Sequence, residues 1–249
     1  MQALSMAVPE GVRLSVGVLD PGSGRSAVYG DGDGVHDTAS VVKVGILAAL
    51  LLRAQDAGRT LTAAEQERAA SMIRRSDNDS ATALWHAIGG AAGLDAAHHR
   101  LGLTATVGGA NGYWGLTRTT ALDQLTLLQH VFGPSPVLNA ASRAYLAQLM
   151  GSVVPEQRWG ISAVGPGAPK NGCALGNGCA PKDGCALKNG WFPRDATGRW
   201  VVHSVGRVSG PDGDRLLAVL TEGTASHAEG IALVESAARA AVRAFAGPV

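Results

Sequence analysis

Aromatic residues are scarce, at 4% of 249 residues, too few for a platform on which nucleic-acid bases stack. Charge is balanced: the formal net charge is +1, so no long-range field draws the chain to nucleic acid or to an anionic membrane. The longest apolar stretch, Val44 to Leu52, falls well short of the roughly 20 residues a bilayer-spanning helix needs. Met1 to Ser15 lacks the charged start and apolar middle of a signal peptide. Cysteine is limited to Cys173, Cys179 and Cys185, which cannot all pair within one chain and whose spacing fits no zinc pattern. Lysine is rare as well: Lys43, Lys170, Lys182 and Lys188 stand among 21 basic residues. Arginine does not lose its proton in proteins, whereas a buried or crowded lysine can. Each lysine therefore invites the question of what arginine could not do there.

What is present reads as strands at both ends and helices between. Val12 to Asp20, the turn Pro21 to Gly24, and Ser26 to Gly30 make a hairpin signal. Helical periodicity predicts helices over Val41–Ala57, Ala63–Ile73, Ser80–Ile88 and Leu94–Leu101. Another is opened by Thr119-Thr120 with Leu122, Leu125, Leu128 and Val131 facing inward, and a further one spans Ser142–Met150. Strand patterns return at Trp200–Ser209 and Leu216–Thr221, and a last helix covers Ser226–Phe245. The expected architecture is α+β in one domain. Its sheet subdomain comes from residues 1–37 and 188–249, and a mainly helical subdomain, 38–187, is inserted between them. A six-residue repeat, NGCALG-NGCAPK-DGCALK, runs from Asn171 to Lys188. It is expected to form an exposed Gly-rich loop over about 170–187, with a metal-binding or disulfide-linked loop as the alternative.

Three tripeptide-scale motifs carry chemistry. Ser40-Val41-Val42-Lys43 begins the long helix, where residues three apart share a face. The free N–H groups of a helix start favour a developing oxyanion, and an unprotonated lysine can activate a serine. Read alone, the pair is equally a capping serine with a solvated lysine. Ser76-Asp77-Asn78 offers a relay hydroxyl and a positioning amide, or simply a helix cap. Lys188-Asn189-Gly190 offers a cation for a carboxylate and a glycine that lets a substrate approach, or simply a turn.

In the order S-x-x-K, S-D-N, K-x-G, these motifs resemble the signature of class A β-lactamases and penicillin-binding proteins. The resemblance extends over nearly the whole chain and implies a five-stranded antiparallel sheet beside a helical lobe, of the β-lactamase/transpeptidase type. By position, Ser40 would form the acyl-enzyme, Lys43 would be the base for acylation, and Ser76 would pass a proton to the leaving nitrogen. Asn78 would position substrate, and Lys188, with the Asn189 amide beside it, would meet a substrate carboxylate. Gly190 would keep the strand open, and the backbone N–H groups of Ser40 and Trp191 would form the oxyanion hole.

The chain departs from this family's pattern in three places. The third motif reads Lys-Asn-Gly where threonine or serine is usual in the middle, and the same triplet recurs at Lys170-Asn171-Gly172. Lys188 is preferred because strand-like sequence follows it. The stretch Thr106 to Arg118 contains no Glu or Asp, so the carboxylate that activates the deacylating water in class A enzymes is missing, and Glu156 lies too far along the chain to replace it. The Cys repeat itself is the third departure. The expected function is thus a serine hydrolase weak or slow toward β-lactams. A peptidase or amidase acting on D-amino acids, or an esterase, is the alternative, and a non-catalytic binding module is the alternative of another class. No metal or cofactor is expected. The expected partner is a small molecule or peptide with a carboxylate, not nucleic acid, and the chain is expected to be a monomer without a membrane span. The family's habits imply a secreted or cell-envelope location, with a cytoplasmic one left open.

Overall fold

The computed structural model describes residues 4, 6–31, 34–165, 184–210 and 213–246. The chain starts with β1 (Arg13–Leu19) and β2 (Ser26–Gly30), which pair antiparallel. The turn between them is held by Asp20, whose carboxylate accepts from Gly22 N at 2.9 Å and Ser23 N at 3.3 Å, the usual way a short acidic side chain stabilises a reversal. A two-residue strand, β3 (His36–Asp37), leads through a 3₁₀ turn over Ala39–Val41 into α1 (Val42–Asp56). The helices α2 (Ala63–Arg74), α3 (Asn78–Ile88) and α4 (Gly90–Arg100) follow. After them come β4 (Arg118–Thr119), which pairs with β3, then α5 (Ala121–Phe132) and α6 (Ala140–Gly151). The chain finishes with β5 (Cys185–Pro193), β6 (Trp200–Gly210), β7 (Gly213–Thr224) and α7 (His227–Ala246).

The five long strands form one antiparallel sheet in the order β2-β1-β7-β6-β5. The two chain ends thus build a single sheet, as expected, with the helices α1–α6 between them. Capping follows composition. Thr62 and Glu65 form a reciprocal capping box on α2, Asp77 caps α3, Thr120 caps α5 and Asn139 caps α6, each supplying an oxygen to an otherwise unpaired N–H.

Strand alternation separates two cores. Leu216, Ala218 and Leu220 of β7, Val205 of β6 and Ala186 of β5 pack with the helices α1–α6. Leu217 and Val219, Val202, and Leu187 face the opposite way and pack under Val234, Ala237, Ala238 and Ala241 of α7. Lys188 and Gly190, in phase with Ala186, therefore project toward the helical side. Asn189, in phase with Leu187, projects toward α7.

Two expectations need correction. Leu122 is 53% exposed: the inward stripe of α5 is Ala121, Gln124, Leu125, Leu128 and Val131, and Leu122 lies off that stripe in the first turn. The third repeat copy is also not loop. Gly184 to Lys188 leads into and forms β5, with Cys185, Ala186 and Leu187 buried, so the sheet segment begins three residues before the expected boundary at 188. The other two copies, with Cys173 and Cys179, and the first Lys-Asn-Gly triplet lie outside the described residues.

Candidate active site

The site forms where β5 crosses the start of α1. Ser40 sits in the 3₁₀ turn Ala39–Val41 rather than inside α1 itself. That turn is entered through Ala39 at φ 47, a left-handed conformation a β-carbon makes costly. Ser76 has φ 57. These are two of the three non-glycine residues with positive φ among the described residues, and strain of this kind gathers at functional sites.

Gly190 explains how the strand and the turn fit. A β-carbon there would lie 2.7 Å from Ser40 N, 2.9 Å from Val41 N and 3.0 Å from Thr38 O. Only glycine lets β5 lie against the Ser40 turn at this distance.

Two buried lysines meet on one hydroxyl. Lys43 Nζ bonds Ser76 O at 2.7 Å, Asn78 Oδ1 at 2.7 Å and Ser76 Oγ at 3.2 Å. Lys188 Nζ donates to Ser76 Oγ at 2.9 Å and to Asn189 O at 2.9 Å. Both lysines are 0% exposed. Burial brings the Lys43 ammonium down to about 7, against a smaller upward pull from Asp77. Burial, with the nearby Lys43 charge added, holds Lys188 well below the usual lysine range. The partners of Lys43 suit a neutral amine. Two are oxygens that only accept, and its lone pair is left for a hydroxyl proton. No hydrogen bond joins Lys43 to Ser40 among the described residues.

Asn189 does not join this group. Its amide nitrogen donates to Gln157 O at 2.8 Å and Trp159 O at 3.1 Å on the α7 side. The expectation that it meets a substrate carboxylate is thus overturned by the strand's own alternation. Trp191 lies on the same side and stacks on His227 at 5.3 Å, yet it also borders the cleft.

A cleft of about 340 Å³ opens over Ser40, lined among others by Asn78, Tyr113, Trp114, Trp191 and Phe192. The sequence reading had no signal for Trp114. Its ring lies 4.8 Å from Lys43 Nζ, and its indole N–H donates to Thr82 Oγ1 at 3.1 Å. It comes from the stretch noted for its lack of carboxylates. Among the described residues no Asp or Glu lines the cleft. Asp77 is engaged in capping α3 through Ser80 N at 2.7 Å, and Glu156 is exposed in a separate turn.

Behind Ser40 lies a second polar cluster that sequence spacing did not reveal. Asp37, three residues before Ser40, is held at every polar group. Its N–H donates to Glu222 Oε1 at 2.8 Å, its carbonyl accepts from His203 Nε2 at 2.7 Å, and its carboxylate accepts from Arg194 at 2.7 Å. His203 Nδ1 accepts from Thr221 N at 3.1 Å, so the ring is neutral with its proton on Nε2, and burial, helped by nearby His36, lowers it to about 4. Burial alone would raise the Glu222 carboxyl, but His36, the Asp37 N–H and Arg194 outweigh it and bring it down to about 2. Ser15, His36 and Glu222 have the residue types of a hydrolytic triad: Ser15 Oγ lies 2.8 Å from His36 Nε2, and His36 Nδ1 lies 3.6 Å from Glu222 Oε1. Ser15 is fully buried and its hydroxyl bonds Asp31 O, so this trio braces the fold and faces no substrate. Among the described residues no cluster of His, Cys, Asp and Glu could hold a metal ion, and no helix is long and apolar enough to cross a membrane.

Comparison with known proteins gives this geometry its lineage. The TLA-1 extended-spectrum β-lactamase superposes with a TM-score of 0.77 at 13% identity, over 95% of this chain and 94% of that one. A class A β-lactamase from Mycobacterium abscessus gives 0.74 at 20% identity over 95% of each chain. A β-lactamase from Chitinophaga pinensis gives 0.73 at 19% identity over 94% of each. At these identities the likeness is one of fold. Among curated sequences, "Putative lipoprotein LppW" of Mycobacterium tuberculosis, and its counterpart in Mycobacterium bovis, is 33% identical over 122 residues, which is 49% of this chain and 38% of the relative. The matched region thus spans well under half of the relatives' length. The family described as "Beta-lactamase enzyme family" matches residues 58–245, a stretch that contains Ser76, Asn78 and Lys188. This chain therefore belongs to the β-lactamase enzyme family.

Proposed function

We propose that the chain is a serine hydrolase that forms an acyl-enzyme at Ser40 and releases it slowly. The observation that carries this reading is the hydrogen-bonded series Lys188, Ser76, Lys43 beneath the cleft that opens on Ser40. In this reading neutral Lys43 takes the Ser40 proton as Oγ attacks the substrate carbonyl, while the N–H groups of Ser40 and Trp191 receive the oxyanion. Ser76 then returns a proton to the leaving group. Lys188, donating to the Ser76 oxygen, keeps that hydroxyl's proton directed away from itself, toward Lys43 or the leaving atom. Deacylation needs a base for water. The cleft lining supplies no carboxylate among the described residues, and the Trp114 ring covers Lys43, so the ester should persist. The lipoprotein name of the mycobacterial relatives supports a cell-envelope location.

Intact-mass spectrometry after incubation with a penicillin tests this. The unmodified chain should gain one stable adduct, and Ser40→Ala should gain none. Rapid hydrolysis without an adduct would contradict slow release, and neither adduct nor hydrolysis would favour a binding module that has lost its chemistry.

The rate of adduct formation should also rise with pH through about 7, as Lys43 passes from ammonium to amine, and level off above. Rates measured between about pH 5 and 9 check it; a flat profile would remove Lys43 from the role of base.

A further inference from the structure

We infer that this site takes acyl substrates carrying an aromatic or flat apolar group beside the scissile carbonyl, recognised by ring stacking and not by a carboxylate. The inference rests on the acylating role of Ser40 proposed above and deepens it to a substrate class.

The chain holds five Trp, three Tyr and three Phe in all, yet Trp114, Trp191, Tyr113 and Phe192 border this one cleft. In so aromatic-poor a sequence, that concentration is a property of the site. Two of the rings are fixed in advance. Trp191 stacks on His227 at 5.3 Å and meets Trp159 edge-on at 5.7 Å, and His227 stacks in turn on Trp200 at 5.3 Å. Trp114 is tied by its hydrogen bond to Thr82 and its contact with Lys43. Tyr113 is 64% exposed and Leu116 43% exposed at the rim, leaving apolar surface in water that a flat ligand would cover. Pre-set rings bind without a large ordering cost.

Charge points the same way. No cationic side chain lines the cleft among the described residues. Lys43 and Lys188 lie beneath its floor, 0% exposed and already bonded to Ser76, Asn78 and the Asn189 carbonyl. Asn189 faces away. A carboxylate entering the cleft would lose hydration without meeting a free cation.

Four thioesters separate the possibilities: the phenylacetyl and acetyl thioesters of mercaptoacetate and of methyl mercaptoacetate. In each, the bond from Ser40 Oγ to the carbonyl carbon forms and the C–S bond breaks. The serine proton passes through Lys43 and Ser76 to the departing thiolate, which leaves as a thiol. Adduct formation at Ser40 is followed by intact mass. Phenylacetyl should outrun acetyl by about tenfold or more with either leaving group, and the carboxylate should change rates by less than about threefold. In Tyr113→Ala, at an exposed position, the phenylacetyl-to-acetyl ratio should fall several-fold. Equal rates for the two acyl groups, or a large acceleration by the carboxylate, with Ser40 still labelled, would overturn this inference and leave the hydrolase reading standing. If no probe labels Ser40, the hydrolase reading fails. Tryptophan-fluorescence quenching of Ser40→Ala by phenylacetamide against acetamide then decides the cleft's preference, and quenching that does not saturate for phenylacetamide would overturn that too.

Discussion

Gly190→Ala is expected to slow acylation of Ser40 by about 10²-fold. The added methyl would fall 2.7 Å from Ser40 N, 2.9 Å from Val41 N and 3.0 Å from Thr38 O, all backbone atoms with no rotamer to swing aside. The turn they belong to is also anchored from behind. Thr38 N donates to Thr117 O at 2.7 Å, and Asp37 is held by Glu222 and His203. Relief must come from separating β5 from the turn, which moves apart the Ser40 and Trp191 N–H groups proposed to receive the oxyanion. A displacement of this size in a reacting constellation costs about 10²-fold in rate, and the overpacking costs about 1–3 kcal/mol of stability. Adduct kinetics beside a thermal melt check both. An unchanged acylation rate would mean that β5 does not border the reacting centre.

Lys43→Met is the second large effect. Methionine is close to lysine in length and apolar, so it suits a fully buried position, while it has no lone pair for the serine proton. Loss of a general base lowers rates by about 10²–10⁴, and the residual activity should lose its rise through pH 7. A variant that acylates as fast as the parent would hand the base's role to Ser76 or Lys188. A variant that merely unfolds would show itself in the melt, so the two losses are separable.

Much of this was readable from local pattern. Periodicity located the long helices of the described residues: most bury a stripe, although α1 is buried along nearly its whole length, and the capping residues Thr62, Asp77, Thr120 and Asn139 stand where four of them begin. The motifs align by their order alone, and Lys188 is preferred to Lys170 on the strand-like sequence that follows it, which belongs to β5. The position of Asn189 was also legible in principle, since a strand that turns Lys188 inward must turn its neighbour outward.

The repeat obscured β5. Its third copy reads Cys185-Ala186-Leu187-Lys188, good strand sequence. The second copy has Pro181 where the third has Leu187, and a proline cannot donate to a strand ladder. The composition shared by the copies thus concealed the strand in the third. Trp114 over Lys43 and the clamp of Asp37 by Glu222 and His203 had no sequence signal. The partners stand 71, 185 and 166 positions apart, and only the closed fold brings them together. Nor did the left-handed backbone of Ala39 and Ser76 announce itself, since neither is the glycine that such angles favour.

The two lysines beneath the cleft make folding a proton-releasing reaction. Each has a folded-state pKa below its unfolded value, so between about pH 7 and 10.5 for Lys43 the unfolded chain binds a proton that the native one lacks. Stability contributed by this group is therefore complete above the unfolded pKa and is lost as pH falls toward about 7; Lys188 acts in the same sense. The deprotonation that would arm Lys43 as the proposed base is thus the one that relieves the native state of a buried charge, and mild alkali would strengthen the fold and the proposed chemistry together.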